Sequence, residues 1–138
     1  MVGVEGDYMN NIIAEYVGRK YQHNGRGEAL DCLGLVISFL NDNGIYLPND
    51  DGDPIQKDWY ADRPLRLVNG LSQHGRKINN PEELQPLDVV VFSFRDIPRH
   101  AGVMTDRSHF IHARQNKKVA VIRLKHYKRF LHSCWRVR

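Results

Sequence analysis

The amino-acid sequence predicts an α+β domain in which helices come first and an antiparallel β-sheet follows. Between Asp31 and Asn43 the apolar residues recur at helical spacing, which is typical of an amphipathic helix. From Asp88 onwards the pattern changes to short runs rich in valine, isoleucine and phenylalanine, separated by turn residues. A chain whose helices precede its strands favours a helical layer packed on one sheet.

We expect residues 1–138 to form a single domain, because no repeat, low-complexity segment or linker interrupts the chain. Hydrophobic residues make up 41% and charged residues 26%, as in globular proteins. No segment approaches the roughly 20 apolar residues of a membrane-spanning helix. The N-terminus has neither a basic start nor an apolar core, so we expect synthesis in the cytoplasm without a signal peptide.

The N-terminal part is predicted to contain two helices joined by a loop. Met9 to Val17 forms the first helix, whereas Tyr21 to Glu28 is a loop because its asparagine and glycines break regular structure. In the second helix, Asp31 to Asn43, apolar residues on two sides indicate a central, mostly buried position. Asp31 stands where an N-cap belongs and Gly44 where a left-handed C-cap belongs.

The remaining chain divides into a polar segment and a run of strands. Ile45 to Asn80 is predicted to be irregular apart from a short helix near Ile55 to Ala61, and such segments often form lids or substrate walls. An antiparallel meander should then follow. Its predicted strands are Asp88–Phe94, His100–Thr105, His109–Ala113, Val119–Leu124 and Cys134–Val137, with a helical turn at Tyr127–Leu131.

Charge is unevenly distributed along the chain. The net charge is +4, and the residues after Asp106 include ten lysines or arginines and no acidic residue. This pattern indicates either a surface for a polyanion or a solvated face of the sheet. A cell-wall polymer, a nucleic acid or an acidic protein would fit, nucleic acid being the least expected. The two cysteines favour reduced thiols, although one bridge between Cys32 and Cys134 stays open.

Cys32 is the candidate nucleophile because it is the first residue of a predicted helix. Unpaired N–H groups and the helix dipole favour the thiolate there, and such positions lower cysteine pKa values from about 8.5 to between about 3.5 and 7.5. A thiolate needs a base, usually histidine, and that base needs an orienting partner. A buried core cysteine is the simpler alternative.

A predicted hairpin supplies two histidines that can share one face. If residues 105–107 form the loop, His100 lies directly opposite His112, with Cβ atoms roughly 5 Å apart. A register shifted by two residues keeps both histidines on one face as diagonal neighbours, whereas an odd shift separates them. A zinc site formed by Cys32, His100 and His112 is an alternative to the catalytic role, but the chain has no CxxC or HExxH spacing.

Several strings resemble motifs of the NlpC family of papain-like cell-wall cysteine peptidases. They are DCLGLV at Asp31–Val36, PEELQPLDVVVF at Pro81–Phe92, HAGV at His100–Val103 and FIHA at Phe110–Ala113. The resemblance implies a papain-like fold with the nucleophile helix packed on an antiparallel sheet. It also implies hydrolysis of amide bonds in peptidoglycan stem peptides, next to a D-glutamyl or diaminopimelyl residue, without a metal or organic cofactor.

Matched motif by motif, the resemblance implies that Cys32 is the nucleophile, His100 the general base and His112 the orienting residue. Tyr21 resembles a tyrosine that the family places near the nucleophile, and the N–H of Cys32 would belong to the oxyanion hole. Leu33 stands where the family commonly has serine and would border the cleft. Leu87 stands where a glycine precedes the strand aspartate.

Leu33, the compact domain and the absence of a signal peptide resemble the phage-tail branch of the family. This resemblance implies tail proteins as partners and a virion-associated protein that acts at the cell wall. Two alternatives stay open. One is a non-catalytic tail assembly or binding module of the same fold, and the other is a thiol acyltransferase or antibacterial amidase that uses the same residues.

Overall fold

The computed structural model describes residues 2–20, 32–47, 66–114 and 117–137, and within these ranges it confirms the predicted α+β class. The helices are α1 (Val2–Tyr16), α2 (Cys32–Asp42) and α3 (Arg66–His74). The strands are β1 (Arg76–Ile78), β2 (Val89–Phe94), β3 (Ile97–Met104), β4 (His109–His112), β5 (Ala120–Arg123) and β6 (Leu131–Arg136). Short 3₁₀ helices span Pro81–Glu83, Leu124–His126 and Lys128–Phe130. No helix in the described ranges is long and apolar enough to cross a membrane.

The six strands form one sheet in the order β1-β6-β2-β3-β4-β5, with antiparallel pairing throughout. Strands β2 to β5 form the predicted meander. Strand β6 departs from it by returning to lie between β1 and β2. The last strand therefore covers an edge of β2 that a simple meander would leave exposed.

Strand β2 is buried on both faces, which explains its continuous apolar run. Val89 and Val91 face the core beneath α2, and Val90 and Phe92 face a second cluster with Phe110 on the other side. Because successive side chains of a strand point to opposite faces, one strand can contribute to both cores. Strand β2 is thus the central support for its neighbour β3.

Helix α2 packs on β3 through a fully buried stripe of apolar residues (Leu35, Val36, Phe39 and Leu40). Its end confirms the predicted C-cap. Gly44 has a φ of 83°, its N–H donates to Asn41 at 3.0 Å, and the N–H of Ile45 donates to Leu40 at 2.8 Å. These two bonds define a Schellman motif. The buried stripe and the cap fix the position of the helix and of its first residue, Cys32.

Several predicted boundaries were wrong. Helix α1 begins at Val2 rather than Met9, and α3 and β1 occupy part of a segment that was predicted to be irregular. Strand β1 has only three residues and depends on pairing with the distant β6, so it has no local signal. The loop 21–28, Asp31 as N-cap and the predicted helix 55–61 lie outside the described residues.

A buried ion pair joins the start of β2 to the end of β6. The carboxylate of Asp88 is fully buried and accepts hydrogen bonds from Nε and Nη2 of Arg136 at 2.9 and 2.8 Å. It also accepts the N–H of Gln85 at 2.8 Å. Leu87, immediately before it, has a φ of 74°, a conformation that favours glycine. A leucine at this position therefore strains the backbone at the entrance of β2.

Candidate active site

The hairpin of β3 and β4 brings His100 and His112 into direct contact. Nε2 of His100 lies 2.8 Å from Nδ1 of His112, and the two residues are only 6% and 5% exposed. His112 pairs with Gly102 rather than with His100, so the histidines are diagonal neighbours on one face. The register shifted by two residues is thus the observed one.

Turn geometry determines this register. The N–H of Thr105 donates to the carbonyl of His109, which makes residues 106–108 the hairpin loop. Within it, Oδ1 of Asp106 accepts the N–H groups of Ser108 and His109, each at 2.7 Å. The turn therefore starts one residue later than the loop 105–107 that would place the histidines directly opposite. Aspartate side chains stabilise turns by bonds of this kind.

Helix α2 places Cys32 beside the start of the same hairpin. The sulfur lies 3.9 Å from the carbonyl oxygen of Arg99, the residue immediately before His100, and Cys32 is partly exposed. Cys32 is also the first residue of α2, at the end of the helix where the dipole places partial positive charge. The structure thus brings His100 and His112 into contact and places the Cys32 sulfur near the backbone immediately before His100, while Tyr21 lies outside the described residues.

The contact between the histidines restricts their proton arrangement. If Nδ1 of His100 is to accept a thiol proton, Nε2 must carry the ring hydrogen, and Nε2–H then donates to Nδ1 of His112. In that tautomer His112 is a neutral acceptor. This is how an orienting residue holds a catalytic base.

Aromatic rings bury the histidine pair. The ring centroid of Phe92 lies 5.9 Å from that of His100, and the centroids of Phe110 and Tyr127 lie 5.0 and 5.4 Å from that of His112. Burial is the main reason that the pKa of His100 falls to about 3 and that of His112 to about 4. The charge of Arg114 lowers both pKa values further. Both rings are therefore neutral at neutral pH.

Tyr127 and Arg114 also lie next to the histidine pair, although the sequence did not single them out as site residues. Arg114 follows His112 by two residues, and the alternation of an extended chain would have placed both on one face. Tyr127 lies between two 3₁₀ helices and has no comparable signal. Leu33, which was expected to border the cleft, is partly buried and packs against the main core beneath α2. In the described ranges no three histidine, cysteine or acidic side chains converge as a metal site.

Gly102 provides the space that the histidine contact needs. A Cβ atom at this position would lie 2.6 Å from Cδ2 of Phe110, 2.8 Å from the carbonyl oxygen of Ile111 and 3.3 Å from Cβ of His112. The backbone oxygen cannot move without displacing β4. The glycine of the HAGV string therefore lets the two strands carry large side chains on the face that holds both histidines.

Gly102→Ala is expected to reduce both activity and stability. Overpacking of this kind costs about 1–3 kcal/mol of unfolding free energy, and displacement of His112 by on the order of 1 Å should lower turnover at least about tenfold. Urea unfolding measures the loss of stability, and the amide hydrolysis that the resemblance implies measures the loss of activity. Gly70→Ala is the control, because its Cβ meets nothing within 4 Å and alanine favours a helix. Equal behaviour of the two variants would contradict this role of Gly102.

The antiparallel sheet, the buried helix that begins at Cys32 and the buried imidazole pair define a protein of the papain-like α+β class. The chain belongs to the NlpC/P60 family, whose profile matches residues 18–136. No relative was found among curated protein sequences.

Solved structures share this fold at low sequence identity. An NlpC/P60 family protein from Bacillus cereus aligns over 96% of this chain and 40% of its own, with 22% identity and a TM-score of 0.70. The NlpC/P60 domain of the peptidoglycan hydrolase SagA aligns over 95% and 97%, with 16% identity and a TM-score of 0.66. The peptidoglycan hydrolase RipB from Mycobacterium tuberculosis aligns over 98% and 65%, with 18% identity and a TM-score of 0.65. The chain thus spans less than half of the Bacillus protein.

Proposed function

We propose that this protein is a cysteine hydrolase that cleaves amide bonds in peptidoglycan stem peptides. In this proposal Cys32 is the nucleophile, His100 is the general base and His112 orients it. The observation that carries the proposal is the 2.8 Å contact between two buried imidazoles, one of which directly follows Arg99, whose carbonyl oxygen lies 3.9 Å from the Cys32 sulfur. Membership of the NlpC/P60 family supports the same assignment.

The proposed reaction begins when Nδ1 of His100 takes the proton of the Cys32 thiol. The thiolate attacks the carbonyl carbon of the scissile amide, a C–S bond forms, and the backbone N–H of Cys32 donates to the developing oxyanion. His100 then gives its proton to the leaving nitrogen as the C–N bond breaks. Water, deprotonated by His100, attacks the thioester and releases the acid, which restores the thiol.

His112 has a supporting role in this sequence. By accepting Nε2–H it prevents rotation of the His100 ring and keeps Nδ1 available for the thiol. The surrounding aromatic rings exclude water and so strengthen this hydrogen bond. A fixed tautomer is useful because the same nitrogen must accept and return one proton in each half of the reaction.

Peptidoglycan is the proposed substrate because SagA and RipB, which share this fold, are peptidoglycan hydrolases. The basic C-terminal third would favour approach to anionic wall polymers. Delivery by a phage or prophage tail is the finer part of the proposal, supported by the resemblance at Leu33. Mass spectrometry of purified virions from a producing strain would detect the chain, and its absence from them would refute tail delivery.

The test of the function is incubation of the protein with purified peptidoglycan and with defined muropeptides, followed by mass spectrometry of new amine termini. We expect release of stem-peptide fragments and inactivation by iodoacetamide in step with alkylation of Cys32. The reaction with iodoacetamide should proceed well below pH 8.5, the pKa of an ordinary thiol. No cleavage, together with alkylation only near pH 8.5, would favour the non-catalytic module instead. If the protein acted only on other amides, by cleavage or by acyl transfer, the result would favour the thiol acyltransferase or antibacterial amidase.

A further inference from the structure

A cation stands beside the imidazole pair. Nη1 of Arg114 donates to the hydroxyl of Tyr127 at 2.7 Å, and the Tyr127 ring contacts His112 edge-on with centroids 5.4 Å apart. The guanidinium carbon also lies 5.5 Å from the ring centroid of Phe94, which is itself 5.9 Å from the His100 ring. Arg114 thus contacts aromatic rings next to both histidines while remaining exposed to solvent.

The contacts of Arg114 hold the guanidinium without neutralising it. In the described part of the chain the Tyr127 hydroxyl is its only hydrogen-bond partner, and no carboxylate lies within ion-pair distance. The rings of Phe94 and Tyr127 attract the cation and restrict its motion. A guanidinium has five N–H donors, so most of them stay available. An oriented, uncompensated cation beside a catalytic pair is suited to binding an anionic group of the substrate.

We propose that Arg114 is a specificity-determining residue that binds a carboxylate carried by a residue flanking the scissile amide. The inference rests on the proposed function, because it concerns the substrate of the same site. The planar guanidinium can donate two parallel hydrogen bonds, which matches the two oxygens of a carboxylate. A peptide offers no other planar anion, and stem peptides can carry a carboxylate on either side of the bond.

Neighbouring residues support a role in recognition over a role in folding. Phe94, Tyr127 and Phe130 form an apolar wall, with ring centroids 5.0–6.4 Å apart. Such a wall can pack against the aliphatic part of a peptide side chain while Arg114 binds its acidic end. Arg136 is an example of an arginine with a role in folding, because its guanidinium is paired with the buried carboxylate of Asp88. Arg114 has no such partner among the described residues.

The test uses Cys32→Ala protein, so that binding can be measured without turnover. Synthetic stem peptides carry either the free D-glutamyl α-carboxylate or its carboxamide, and a second pair varies the diaminopimelyl carboxylate in the same way. We expect one carboxylate peptide to bind about tenfold more tightly than its carboxamide by calorimetry. Arg114→Gln should remove that preference, Arg114→Lys should restore part of it, and Arg107→Gln, an exposed arginine in the hairpin loop, should leave it unchanged.

Kinetic measurements with the same peptides and protein that retains Cys32 distinguish the role of Arg114 from the proposed hydrolase activity. Arg114→Gln should raise KM for the carboxylate peptide about tenfold with little change in kcat, and should leave the carboxamide peptide unaffected. Turnover without a carboxylate preference would overturn the inference and leave the hydrolase intact. A preference that survives Arg114→Gln, or absence of binding by both peptide pairs, would also overturn it. Preferential binding without turnover would support the inference and count against the hydrolase.

Discussion

Replacement of Cys32 by alanine is expected to abolish amide hydrolysis, with a loss of about 10⁴-fold or more in kcat. The sulfur forms the covalent bond in the first half of the proposed reaction and is the leaving group in the second. The methyl group of alanine can do neither. The side chain is partly exposed, and alanine is a good helix former at the first position of α2. Folding should therefore be retained, which circular dichroism and urea unfolding can verify.

The matched control is Cys134→Ala, which removes the other thiol. Cys134 is 2% exposed on β6, and burial raises its pKa to about 11, so its thiol stays protonated and unreactive at neutral pH. This variant should keep most of the activity and lose only some stability through the small cavity it creates. If Cys32→Ala hydrolysed muropeptides as fast as the wild type, Cys32 would not be the nucleophile.

Local signals in the sequence were sufficient to predict the helix that presents the thiol. The apolar stripe of α2 and the left-handed Gly44 depend only on residues within a few positions of each other, and both were confirmed. The alternation of side chains along strands also allowed His100 and His112 to share one face, provided that the register was not shifted by an odd number of residues, and the structure has them on one face. The exact register was left open because it depends on which residues the turn uses, and the Asp106 bonds decide that.

Elements that depend on distant partners could not be predicted in the same way. Strand β6 lies next to β2 because of pairing across some forty residues, and the buried bond between Asp88 and Arg136 joins the same two strands. The ring of Tyr127 reaches His112 only because the chain after β5 returns over the sheet. Local periodicity in a sequence cannot predict contacts between distant residues. The apolar wall of Phe94, Tyr127 and Phe130 was therefore found only in the structure.

Leu87 shows what the departure from the family's glycine means for the backbone. The structure gives Leu87 a φ of 74° at the entrance of β2, a conformation that favours glycine. The left-handed region costs a non-glycine residue on the order of 1–2 kcal/mol. Its side chain is partly buried against the main core, which offsets part of this cost. The substitution thus acts on stability, one strand away from the histidines.

The folded protein is expected to lose stability steeply as the pH falls below about 6.5. Burial lowers the pKa of His100 to about 3 and that of His112 to about 4, whereas both should titrate near 6.5 in the unfolded chain. Between about pH 6.5 and 4 the unfolded state therefore binds up to two more protons than the folded state. Stability is then fully present above pH 6.5 and falls by up to about 2.7 kcal/mol per pH unit.

Urea unfolding followed by circular dichroism at pH 7.5, 6.5, 5.5 and 4.5 measures this slope. His74→Gln, at the exposed end of α3, should keep the slope of the wild type. The double variant His100→Gln with His112→Gln should flatten it, because glutamine does not titrate. Nuclear magnetic resonance of the folded wild type gives an independent measurement, since both imidazoles should remain neutral at pH 5.5. Imidazolium signals from either ring at that pH, or equal stability at pH 7.5 and 4.5, would show that the pair is not held neutral by its burial, and the hydrogen bond from His100 to a neutral His112 would then have to be abandoned.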